Sequence, residues 1–209
     1  MDNSWANTKP FEMEDEVKKN QKSLKEMKVD KKSNAYLGIN DEIKKWLIFL
    51  PLIAELRDDG MRPRHWNSIR EKVGVQFADP QTLALRDIYN LNLNKFQEDV
   101  EDITEQAKQE AKMEKTLKKL TEIWKDVKFS FQQMKGSDVQ LLRLTEEDFE
   151  MLEEHQVQVQ AMTASRYLAT FEEEIIKWQK QLGEVSNIVT LISDVQRTWS
   201  FLESLFMHS

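Results

Sequence analysis

The residues of this chain best suited to chemistry are three histidines, His65, His155 and His208, with whatever carboxylates a fold could bring beside them. A nucleophilic triad needs a histidine oriented by a carboxylate and a serine presented on a glycine-rich turn, and the scattered histidines here are accompanied by no such turn. Carboxylate-bridged metal pairs in helix bundles need two Glu-x-x-His motifs; Leu152 stands three residues before His155, and Arg62 three before His65. No glycine-rich loop ending in Lys-Ser or Lys-Thr is present to cradle phosphates. The absence of cysteine excludes disulfides and thiolate zinc sites. The sequence therefore predicts no catalytic residue, no cofactor and no metal in this chain.

Two weaker constellations remain. Glu110 falls on an apolar helix face and needs either a partner, with Arg64 or His65 of a preceding turn favoured, or a helix rotated to put it in solvent. His155 reads as a hydrogen-bonded boundary residue, and Trp124, Trp178 and Trp199 as core residues with satisfied indole donors.

The elements that must position these groups follow from composition. The chain has 209 residues, 30 basic and 37 acidic side chains, a formal charge of −7 and 40% apolar residues, as expected for a soluble intracellular globular protein. An acidic balance argues against nucleic acid as a partner. The apolar run from Trp46 to Ala54 is far shorter than the ~20 residues needed to cross a bilayer, so no membrane is expected either. Residues 1–40 carry eight lysines and seven acids and predict a charged arm or peripheral helix. All four prolines lie in the first 80 residues, leaving a long stretch suited to helices.

Helical spacing of Ile43, Trp46, Leu47, Leu50, Ile53 and Leu56 ends at Asp58-Asp59-Gly60, and Pro63 suits the first turn of a short helix through Arg64, His65, Trp66 and Ile69. Asn94 and Gln97 are placed as a capping box opening a helix of about 30 residues. Near 126–144, alternation at Val127, Phe129 and Phe131, a turn at Lys135-Gly136-Ser137-Asp138, and then Val139 and Leu141 predict a β-hairpin leaning on the helices with these apolar residues inward. Thr145 and Asp148 open the next helix, with a break possible near Thr163 to Ser165 and an end at Gly183. In the last helix Val185, Ile188, Ile192, Val195, Trp199, Leu202 and Phe206 predict a packed seam. The fold class is mainly α, an elongated bundle of long helices with one inserted β-hairpin; residues 41–209 form the helical subdomain.

Several motifs in one order carry a family resemblance. Leu50-Pro51-Leu52-Ile53 through Leu56-Arg57, then Met61-Arg62-Pro63-Arg64-His65-Trp66, resembles the opening of the linker region of dynein heavy chains. Ala107, Glu110, Leu117, Leu120 and Trp124 are spaced as in that family, and Leu152-Glu153-Glu154-His155-Gln156 and Val195-Gln196-Arg197-Thr198-Trp199 extend the likeness over residues 41–207. Ala164-Ser165-Arg166-Tyr167 and Gln196-Arg197-Thr198-Trp199 look more like axonemal outer-arm heavy chains of the beta type than the cytoplasmic form.

The resemblance implies an amino-terminal linker fragment: a helical lever that changes shape over an ATP-driven ring and connects it to the tail. Its partners would be the motor ring and tail of its own heavy chain, with the microtubule reached only through parts absent here. Its place would be the cytoskeleton of a cilium or flagellum axoneme. The hairpin tip, Met134, Lys135, Gly136, Ser137 and Asp138, is then either a ring contact or a solvated turn. A free-standing α-helical cytoskeletal adaptor or spectrin-like scaffold is the alternative, against which the Arg-His-Trp turn and the inserted hairpin count.

Overall fold

In the computed structural model, which describes residues 4–77, 80–134 and 138–207, helix α1 spans Pro10–Glu26, α2 Asn34–Leu56, α3 Pro63–Val73, α4 Leu85–Asn90 and α5 Gln97–Asp126. An antiparallel hairpin of β1 (Ser130–Gln133) and β2 (Gln140–Arg143) follows, then α6 (Glu146–Thr163) and α7 (Glu172–Met207). The chain is mainly α with one β-hairpin. It divides into two compact units, Met1–Ala111 and Lys112–Ser209, the boundary falling inside α5.

In the first unit α2 starts where Ser33 Oγ accepts the Tyr36 N–H at 3.3 Å, a side-chain cap for a donor that the first turn leaves free. Pro51 lies within α2. Leu52, Ile53 and Leu56 on this helix meet Trp66 and Ile69 of α3, Ile88 of α4 and Val100 of α5 in one core. Ile53, Ile69, Ile88 and Val100 are fully enclosed, so truncating any of the isoleucines to alanine would cost roughly 2–5 kcal/mol. Residues 1–40, read as a charged arm or peripheral helix, contribute α1 packed along α2 and a buried Trp5. Trp5 stacks edge-on to Trp66 at 5.7 Å and donates its indole N–H to the Pro80 carbonyl. α3 begins with Pro63 and ends at Gly74, whose φ of 72° is the left-handed cap that glycine adopts without a Cβ penalty.

In the second unit Met113, Leu117 and Leu120 of α5 pack with Leu152, Val159 and Met162 of α6 and Ile175 and Leu182 of α7. Thr145 caps α6, its Oγ1 accepting the Asp148 N–H while the Asp148 carboxylate accepts the Thr145 N–H at 2.8 Å. α6 and α7 run antiparallel, as Gln160 bonds Gln179 and Gln156 reaches the Leu182 carbonyl.

Four local expectations are corrected. Asn94 lies inside a 3-10 turn, Leu93–Phe96, entered through Asn92 at φ 53°, so α5 starts from that turn rather than from an Asn94 cap; the Gln97 amide bonds Glu101 instead. Gly183 does not end a helix: α7 runs through it for 36 residues, because glycine permits the left-handed cap without requiring it. In the hairpin Phe129 and Phe131 are exposed, and Leu142 is the residue turned inward. Phe131 pairs directly with Leu142, so the two share one face of the hairpin and Leu142 is the one that is covered; at the edge of β2 the Gln196 side chain of α7 accepts the Leu142 N–H at 2.7 Å and donates to its carbonyl at 3.0 Å. Finally, the seam of α7 is exposed at Ile188, Val195, Trp199, Leu202 and Phe206. Trp199 is accordingly no core residue among the described parts of the chain.

Candidate functional site

The α2–α3 turn builds the most enclosed polar cluster of the first unit. Arg62 precedes the first turn of α3, where its N–H has no helical carbonyl to bond, and His65 Nδ1 accepts that N–H at 3.0 Å. With Nδ1 serving as acceptor, the His65 proton must sit on Nε2, which points at Glu110 Oε2 of α5 at 3.0 Å. Arg64 Nε donates to the same oxygen at 2.6 Å, and Gln106, one turn earlier on α5, donates to Glu110 Oε1 at 2.7 Å.

Both carboxylate oxygens are thereby satisfied, as a charge that is only 1% exposed requires. Burial holds the His65 pKa below its ordinary value; Glu110 opposes the shift, and the Arg64 and Arg62 charges add to it. The imidazole is therefore a neutral donor. Arg64 keeps 42% of its side chain exposed, so its guanidinium bridges the buried carboxylate and water.

The backbone presses close beside this cluster. A Cβ on Gly60 would lie 2.8 Å from the Ala107 carbonyl and 3.0 Å from the Ala111 Cβ, so the turn approaches α5 at a distance only glycine allows. Glu110 lies between those two contacts in sequence. The arrangement is a joint: a turn clamped to the side of a 30-residue helix by one carboxylate, two donors from α3 and a glycine contact, with Gln106 of α5 itself satisfying the second carboxylate oxygen.

Its histidine is neutral and occupied on both nitrogens. Among the described residues no group of three or more His, Asp or Glu could hold a metal. Sequence reasoning named Arg64, His65 and Glu110 but missed Gln106, although its place four residues before Glu110 on one helix face was a usable signal.

The second unit contains a smaller polar pair. Trp124 Nε1 donates to His155 Nδ1 at 3.0 Å, and His155, 4% exposed, has its pKa lowered chiefly by burial, with Lys119 assisting and Glu154 opposing. Beside it lies a cavity of about 190 Å³ lined by Trp124, Phe129, Leu152, Val185 and Val189 among others. Its lining is mostly apolar, and Lys128, Ser130, Arg143 and Asp148 supply its polar groups.

Of the proposed hairpin-tip contact, Lys135, Gly136 and Ser137 lie outside the described residues. Met134 is half-buried, with its N–H on the Val139 carbonyl at 2.9 Å, and Asp138 is exposed.

Comparison with known proteins supplies what the geometry leaves open. The family described as dynein heavy chain, N-terminal region 2, matches residues 1–209. The flagellar outer-arm dynein alpha chain of Chlamydomonas reinhardtii is 40% identical over 208 residues, covering 98% of this chain and 5% of that protein. The ciliary dynein beta chain of Tripneustes gratilla is 34% identical, and the human dynein axonemal heavy chain 17 is 31% identical, each over 206 residues with the same coverage. The chain thus spans about 5% of the length of these curated relatives.

Proposed function

The chain belongs to the dynein heavy-chain family, and from that premise we propose that it acts as the amino-terminal part of the linker, a lever that changes shape over an ATP-driven ring and connects that ring to the tail. The observation carrying this reading is the match of residues 1–209 to the N-terminal region of the family. Nothing found favours a free-standing helical adaptor.

The physical design suits a lever. Helices transmit force if their contacts resist sliding, and the Arg64–His65–Glu110 joint ties the α2–α3 turn to α5 through directional bonds that a purely apolar seam lacks. In this reading the ATPase belongs to other parts of the heavy chain, and residues 1–209 bind no nucleotide, cofactor, membrane or nucleic acid. The partners are the ring and tail of the same heavy chain, with the hairpin tip from Met134 to Asp138 as the ring contact. Microtubules are engaged through the rest of the motor. The names of the ciliary and axonemal relatives support a place in the axoneme.

The test is mechanical. In the full heavy chain, Glu110→Ala should reduce microtubule gliding per ATP hydrolysed, because turnover continues while the lever yields. Unchanged gliding and unchanged turnover would count against the lever. Calorimetry of the 209-residue chain with magnesium-ATP should show no saturable binding, and micromolar binding would overturn the assignment of nucleotide chemistry to other parts of the chain.

A further inference from the structure

The β-hairpin has two edges, and the chain closes one of them. The register pairs Phe131 with Leu142 and Gln132 with Leu141, and the Met134 N–H meets the Val139 carbonyl at 2.9 Å. In an antiparallel ladder bonded and non-bonded pairs alternate, so Gln132 and Leu141 exchange backbone bonds while Phe131 and Leu142 turn theirs away from each other. On β2 the outward Leu142 groups are taken by the Gln196 side chain, which does there what a neighbouring strand would do. On β1 the outward Phe131 N–H and C=O meet no partner among the described residues. Open edges are commonly blunted by proline, charge or a bulge, and Ser130-Phe131-Gln132-Gln133 has none of these: its residues are neutral and its register is unbroken.

A cavity adjoins this edge. Its volume is about 190 Å³, and Phe129, two residues before Phe131, forms one wall of it with Leu152 of α6 and Val185 and Val189 of α7. An apolar void of roughly 150 Å³ is large enough to take a benzene ring. We propose that an extended segment from elsewhere in the same heavy chain pairs with the open edge of β1 and sets an aromatic or large aliphatic side chain in this cavity. The inference rests on the reading of the chain as a heavy-chain segment.

The edge fixes the chemistry of that segment. Side chains directly opposite on adjacent strands share a face, so the residue opposite Phe129 lies on the cavity side and the next one on the other side, level with Ser130. Ser130 pairs with Arg143, and Lys128 lies two residues before Ser130 on the same alternation. Lys128 joins no ion pair among the described residues, and Asp148, the carboxylate in the cavity lining, is held by Thr145. The residue beside the apolar anchor is therefore an aspartate or glutamate. So short an edge offers few backbone bonds, each of modest net worth, which hold a tethered segment at high effective concentration but not a free partner. The relatives, of which this chain spans about 5%, have the further chain to supply it. A second copy would bring Lys128 and Arg143 to the edge again and set like charges together.

The test is residue-resolved hydrogen exchange on the full heavy chain, reading the Phe131 amide against that of Gln132, which is bonded within the hairpin whether or not the edge is occupied. Both amides should exchange at least about tenfold slower than unstructured ones. Lys128→Glu should speed Phe131 exchange about tenfold and leave Gln132 unchanged. In a Phe131→p-benzoylphenylalanine chain, irradiation and digestion should join position 131 to one peptide of the same heavy chain from outside residues 1–209, in which an apolar residue adjoins an acidic one. Phe131 is 63% exposed, so that replacement leaves the core intact. A Phe131 amide at the unstructured rate, or protection that Lys128→Glu does not move, would overturn the proposal. Crosslinks between isotopically light and heavy chains, to another polypeptide, or to nothing would do the same. None of these readouts depends on gliding or ATP turnover, so failure of the lever reading and failure of this pairing are told apart.

Discussion

Glu110 Oε2 lies 3.0 Å from His65 Nε2, each residue only 1% exposed, and the tautomer that allows this bond is imposed by the Arg62 N–H on the other ring nitrogen. The carboxylate therefore depends on its neighbours and they on it. Glu110→Ala should destabilise the chain by about 3 kcal/mol, the lower end of the range for breaking a buried ion pair, because the half-exposed Arg64 regains water while the enclosed His65 does not. Glu110→Gln keeps one acceptor and should cost about 1–3 kcal/mol. Urea denaturation decides, and a loss below about 0.5 kcal/mol for the alanine variant would put Glu110 among ordinary surface residues.

The two buried histidines predict a direction for pH. Each has a folded-state pKa lowered from 6.5, so the unfolded chain binds more protons between the two values and stability rises with pH across that window. Their contribution is complete above about pH 6.5 and is lost as pH falls from there toward the folded values. The groups facing them are Glu110, Arg64 and Arg62 for His65, and Trp124, Glu154 and Lys119 for His155. Melting temperature should fall between pH 7.5 and 5.5 in the parent chain and fall less in a His65→Gln, His155→Gln double variant. Equal slopes in the two proteins would exclude the histidines as the cause.

Two glycines should respond oppositely to the same substitution. Gly60→Ala drives a Cβ to 2.8 Å from the Ala107 carbonyl, a backbone atom of α5 that cannot swing aside, and should cost about 1–3 kcal/mol. Gly183→Ala adds a methyl to open space within α7, where alanine is the better helix former, and should stabilise by about 0.5–1 kcal/mol. Thermal unfolding of both variants checks the pair, and a neutral Gly60→Ala would mean that the turn is free to lift from α5.

At the hairpin tip, Lys135→Ala with Asp138→Ala in the full heavy chain should leave the stability of residues 1–209 nearly unchanged but alter the coupling of ATP turnover to gliding. A contact made in one state of the cycle biases the lever only through its differential binding. Parent-like gliding speed together with a parent-like ATPase rate would reduce the tip to a connecting turn.

Sequence alone determined the elements whose signals are local. Pro63 and Gly74 bracket α3, Thr145 with Asp148 starts α6, and the long proline-free stretch with two separated apolar repeats yields α5 and the later helices, because caps, breakers and periodicity act within a few residues. It also placed Glu110 on a face that demanded an answer. What that answer is, a proton on His65 Nε2 and a share of Arg64, required α3 and α5 to meet across 45 residues of chain, which no local pattern encodes. Tertiary packing likewise decided that Leu142 is covered while Phe131, its cross-strand partner on the same face, stays exposed, because α7 lies along the β2 edge, where Gln196 bonds the Leu142 backbone. It decided the fate of Gly183 as well: the residue is free to cap or to continue a helix, and the packing of Leu182 and Val189 on either side carries α7 through it. A heptad repeat marks an apolar face on α7, but only packing decided which residues are covered: Leu182 and Val189 are buried, while Ile188, on the repeat, stays exposed.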